Sequence, residues 1–178
     1  MEKLYHLLQL VNEHIGRAIA WMTILMVVIT FLVVLLRYVF DLGWIAMQES
    51  IVYLHACVFM LGAAFTFKHQ GHVRVDIFYQ NYSVRQKAWL DLFGTLFLLI
   101  PVSFFIIWQG WYYVAASWDV LEGSREAGGL PGIFLLKSLI VVMPILMLLQ
   151  GFAFILRQLL ILQGRMNTQQ DHSAEGGV

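Results

Sequence analysis

"AIAWMTILMVVITFLVVLL", residues 18–36, is a run of nineteen residues without an Asp, Glu, Lys or Arg, closed at its ends by Arg17 and Arg37. A helix needs ~20 apolar residues to cross a ~30 Å hydrocarbon core, and snorkelling of the flanking arginines makes up the difference. Three more uncharged runs follow: eighteen residues from Ser50 to Phe67, twenty-seven from Leu92 to Trp118, and nineteen from Ser138 to Leu156. The third is long enough to require tilt or extension past the lipid. Charge is crowded between the runs, and the 178-residue chain is 60% hydrophobic and 12% charged, half the roughly one quarter of an ordinary soluble domain. The fold class predicted is an all-α membrane protein with four transmembrane helices, at approximately 17–40, 45–67, 88–117 and 133–160 in a domain covering 17–163.

The basic residues predict the orientation. An even number of spans puts both termini on one side, with Lys3, Arg17, Lys68, Arg74, Arg85, Lys87, Arg157 and Arg165. Arg37, Arg125 and Lys137 face the other. The richer side belongs in the cytoplasm. Residues 1–16 place Leu4, Leu7, Leu8, Val11 and Ile15 at helical spacing opposite Glu2, His6, Gln9 and Glu13, which predicts an amphipathic helix lying along that interface. Residues 164–178 have no apolar pattern and read as a disordered tail. A cleaved leader is not expected, since the A-x-A of residues 18–20 precedes the first apolar run instead of following it.

The candidate sites are few. A net charge of zero leaves no basic face to neutralise nucleic-acid phosphates. Cys57, the single cysteine, sits in an apolar run as a small packing residue. His69, His72 and Asp76 do not match a zinc spacing. His72, Arg74 and Asp76 read instead as an interface motif in a water-facing loop. His55 lies deep in the second span, where a haem ligand would need a second histidine at similar depth. Arg37 and Glu49 lie at matching depth on either side of a turn near Leu42 and Gly43, which predicts an ion pair stapling the first hairpin. The functional rival is a proton-coupled carboxylate. Ala56, Gly62 and Ala63 form a small-residue stripe for helix packing. Nothing pairs a nucleophile with a base or forms a phosphate loop, so no cofactor is expected, the chain is not read as an enzyme, and a subunit without its own chemistry is the reading that remains.

"LLRYVF" at 35–40, then Trp44 and Glu49, then "FMLGAAFTFKHQGHVRVDIFY" at 59–79, resemble the small membrane subunit of tripartite ATP-independent periplasmic (TRAP) transporters, the DctQ family. Met47-Gln48-Glu49 keeps one of the two acids common at that place in the family, and "GGLPGIFLLK" at 128–137 resembles a subgroup whose substrates are often organic acids. The resemblance implies a bacterial inner-membrane protein. Its partners would be a large DctM-like membrane subunit, which carries solute and coupling ion, a periplasmic substrate-binding protein, and membrane lipids. It implies no substrate or ion site on this chain. Two other readings stay open: a small proton-coupled exporter using Glu49, and a redox-enzyme anchor with haem on His55.

Overall fold

The computed structural model describes residues 2–69, 79 and 81–164, with side chains from His14 onward. Four helices follow in order: α1 (Glu2–Val39), α2 (Ile45–Lys68), α3 (Val84–Asp119) and α4 (Ile133–Leu162). All four are long and apolar enough to cross a membrane, as the uncharged runs predicted. The helical hydrogen bonding of α1 continues unbroken through Gly16, so the boundary expected there between an interfacial helix and the first span is not a helix end.

The α1–α2 turn has a local cause. Asp41 takes a left-handed φ of 53°, and the Leu42 amide donates to the Leu36 carbonyl at 2.9 Å. A backbone bond that turns back around a left-handed residue is one way for a helix to satisfy its last carbonyls. The sequence placed a turn near Leu42 and Gly43. Asp41 takes the left-handed position because a short polar side chain tolerates that region. At the far end of α2 the His69 ring nitrogen Nδ1 donates to the Phe65 carbonyl at 3.0 Å, closing the helix. α3 opens with a capping box: the Ser83 amide donates to Gln86 Oε1 at 2.9 Å, and Ser83 Oγ accepts from the Gln86 amide.

α3 is continuous but not uniform. Residues Thr95–Leu99 form a π-helical turn, with the Ile100 amide reaching back to the Thr95 carbonyl. Pro101 explains it. Proline brings no N–H, and its ring clashes with the carbonyl four residues earlier, so the turn before it widens. Along α3, Ala88, Thr95, Ser103, Gly110 and Ser117 are buried.

α4 is the hub, packing on α1, α2 and α3, while α3 leans chiefly on α4. Its buried residues include Leu139, Pro144, Gln150, Gly151, Ala153, Phe154 and Gln158. Small residues set the close approaches. A methyl group on Gly151 would fall 2.6 Å from Leu99 Cδ2, and one on Gly110 would lie 3.0 Å from Ile140 Cγ2. Between α1 and α2, Gly16 lies under the Phe65 ring, and Gly62 faces Ile19. Phe67 meets Phe154 across α2 and α4, ring centroids 5.2 Å apart.

Candidate functional site

Among the described residues, polar side chains are densely bonded at the end of the molecule that carries the α1–α2 turn and the α3–α4 connection. Glu49, one turn into α2, is its anchor. One carboxylate oxygen accepts from Ser124 Oγ and the other from the Leu130 amide at 2.6 Å. Both donors belong to the connection, and the Ser124 amide donates to the Leu130 carbonyl at 2.9 Å. Glu49 thus closes a small ring of hydrogen bonds that holds both arms of the connection to α2. Gly129 is required at the centre, because a side chain there would strike Ser124 and come within 2.8 Å of Glu49 Oε2.

A second node lies beside it. Glu122 Oε2 accepts from Lys137 Nζ at 2.5 Å and from Ser117 Oγ at 2.7 Å. These donors, the Lys137 ammonium foremost, hold the Glu122 carboxyl below its ordinary value of 4.5. Lys137 also sits 4.0 Å from the Tyr113 ring centre, a cation–π contact. Trp118 Nε1 donates to Ser138 Oγ at 2.8 Å. The connection is therefore bolted to α2 by Glu49 and to α3 and α4 by Glu122.

At the opposite end, Asp91 Oδ2 accepts from Tyr79 Oη at 2.8 Å and from Gln158 Nε2 at 3.3 Å. An apolar groove of about 870 Å³ opens next to it, walled by Leu98 and Val102 of α3 and Met143 and Met147 of α4. Asp91 is the acid on its wall. Among the described residues no group of three His, Cys, Asp or Glu side chains could hold a metal ion.

The expected site residues fare unequally. Arg37 is exposed, and the structure shows no ion pair between it and Glu49. Matching depth fixes height on a helix but not the direction a side chain faces, and Glu49 turns to Ser124 and Leu130 instead. His72, Arg74 and Asp76 lie outside the described residues. Ala56, Gly62 and Ala63 are half-buried, while the neighbouring Ala64 is 1% exposed and is the tightest small contact of α2. His55 is exposed and stacks on Phe59, ring centroids 6.3 Å apart. Reading the sequence missed Gly16, Ser124, Leu130 and the Glu122–Lys137 pair. Gly16, a lone glycine between two apolar stretches, carried a usable signal.

Comparison with curated proteins and with solved structures returns no match. The family profile described as "Tripartite ATP-independent periplasmic transporters, DctQ component" matches residues 26–160. That region contains the last part of α1, all of α2, the Glu49-anchored connection and nearly all of α4. This multi-pass membrane chain belongs to the DctQ component family of TRAP transporters.

Proposed function

We propose that this chain is the supporting small subunit of a three-part secondary transporter. It packs against the large membrane subunit that carries solute and coupling ion, and it helps receive a solute, an organic acid, from a periplasmic binding protein. Its termini face the cytoplasm, and the Glu49-anchored connection faces the periplasm, following the excess of basic residues on the terminal side. The observation that carries the reading is the use made of the acids within the spans. Glu49 and Asp91 both accept hydrogen bonds from structural donors of neighbouring segments. A proton- or ion-coupled carboxylate has to be available to the coupling ion near the middle of the membrane, whereas Glu49 lies close to the start of α2 with both oxygens engaged.

The test is reconstitution. Liposomes holding this chain alone are expected to show no ion-driven solute movement. Adding the large membrane subunit and the binding protein is expected to give sodium-dependent uptake that is lost when this chain is omitted. Transport by the lone chain, abolished by Glu49→Gln, would overturn the proposal in favour of an exporter.

A further inference from the structure

A shallow groove of about 440 Å³ runs between the first two helices, lined by Met26, Val27, Thr30, Phe31 and Val34 of α1 and Ile51 of α2. Its position along the membrane normal follows from the turn at Leu42. Thr30 lies twelve residues before Leu42 and His55 thirteen after it, so each sits roughly 18–20 Å from the turn at ~1.5 Å per residue. With the turn at one surface of a ~30 Å core, that depth is close to the midplane. His55 follows Ile51 by one helical turn on the same face of α2 and therefore stands at the rim of the groove.

His55 is on the outside of the chain. Its ring stacks on Phe59, and among the described residues no hydrogen bond to either ring nitrogen is found. A neutral imidazole has one donor and one acceptor, and acyl chains can satisfy neither. Ionisable side chains at such depth almost always face protein or a water-filled cavity. Thr30 differs, because its hydroxyl donates back to the Met26 carbonyl at 2.7 Å and needs no outside partner. The exposed polar group at the groove is thus a single imidazole between apolar walls.

We propose that the α1–α2 groove seats a transmembrane helix of the large membrane subunit, and that this helix presents a neutral hydrogen-bonding side chain to His55. The proposal rests on the supporting-subunit reading above and adds the face by which that contact is made. Lipid satisfies the apolar walls but not the imidazole. A second copy of this chain fits poorly, because a two-fold pairing sets the same surface against itself and places one concave groove on another. A single convex helix with a polar residue at mid-depth satisfies both features.

The test uses the two membrane subunits co-expressed and purified together, with Cys57→Ala as background. Single cysteines at Val27 and Thr30 probe the groove, and cysteines at Phe97 and Phe104, which are 62% and 66% exposed on α3, serve as controls. Short-span cross-linking is expected from Val27→Cys and Thr30→Cys to the large subunit and not from the α3 positions. In parallel, His55→Leu is expected to weaken the complex roughly three- to tenfold, the range of one interhelical hydrogen bond, while His55→Gln keeps most of the affinity. Cross-links between two copies of this chain would overturn the proposal, as would labelling of the groove cysteines by a lipid-anchored maleimide when the large subunit is bound. So would His55→Leu leaving the complex at full strength. Failure of the wild-type chain to co-purify with the large subunit would refute the supporting-subunit reading itself. Co-purification with a groove that does not cross-link would refute only the choice of face.

Discussion

The first and last spans are nearly twins in composition, each an uncharged run of nineteen residues, yet they live in different surroundings. In the most apolar stretch of α1 only 6% of residues are buried, against 39% in α4. α1 shows Trp21, Val27 and Phe31 to the outside at 73%, 61% and 63% exposure. α4 buries Gln150, Gly151, Ala153 and Gln158. Lipid tails are as apolar as leucine, so apolarity cannot sort inside from outside in a membrane. Small and polar residues do the sorting, because they alone lose or gain when another helix comes close.

The comparison is broken most directly by filling the tightest gap on α4. Gly151→Leu forces a side chain into Leu99 and is expected to cost about 1–3 kcal/mol or more by overpacking. Val28→Leu, on the exposed part of α1, should stay within about 0.5 kcal/mol of wild type. Thermal unfolding of both in one detergent decides it, and equal losses would mean that α4 is no more of a core than α1.

Gly16→Ala sharpens the contrast within α1, whose firm attachment is to Phe65. Overpacking of about 1–3 kcal/mol is offset by the ~1 kcal/mol that alanine gains over glycine in a helix. A modest net destabilisation is expected, rescued by Phe65→Leu. A rescue that fails would place the strain elsewhere.

Glu49→Ala should free the α3–α4 connection without melting the spans. Faster amide exchange across residues 123–131 is the expected signature, and Ser124→Ala should add little to it, since the two side chains form one unit. Arg37→Ala should leave those amides unchanged. A shared effect of Arg37 and Glu49 in this cycle would restore the ion pair that the sequence suggested.

The smallest effect expected is one of pH. The Glu122 carboxyl is held below its ordinary value, first by the Lys137 ammonium and then by Ser117. A depressed carboxyl contributes stability that is fully present above about pH 4.5 and is lost as pH falls through the lower folded value. Wild type should therefore exceed Glu122→Gln in melting temperature at pH 7, and the gap should narrow below pH 4.5. A constant gap would assign the role of Glu122 to geometry alone.

Much of the fold could be read from the chain, because uncharged length and charge placement are local properties. The four spans and the hairpin turn near residue 42 were visible in that way. The partners of Glu49 were not. One is a hydroxyl 75 residues away and the other a backbone amide 81 residues away, and an amide has no signature in a sequence. The expected pair with Arg37 failed for a related reason, since spacing from a turn gives height and leaves rotation open. Burial at Ala64 instead of Ala63 is the same ambiguity, a single residue step of about 100°. The hub role of α4 had a signal in Gln150 and Gln158, two amides in a run of aliphatic residues, whose meaning appears only once a neighbouring helix is in place.

The π-helical turn in α3 has a consequence for how this span can change length. Of the six buried positions of α3, Ala88, Thr95, Ser103, Gly110 and Ser117 advance by seven, eight, seven and seven residues, with Val114 one turn after Gly110. The one odd step crosses the widened turn. The π turn therefore acts as a skip residue, absorbing one surplus amino acid so that both halves of the helix keep the same stripe against α4. Removing Leu98 would give an uninterrupted seven-residue rhythm and carry Ser103, Gly110 and Ser117 back into phase. Removing Ile107, beyond the skip, would rotate the last three turns by about 100° and bring Trp111 into the place that Gly110 keeps open. A transmembrane helix is usually intolerant of any deletion, but this one holds a single position where a residue can be lost without changing the face it shows to its neighbour.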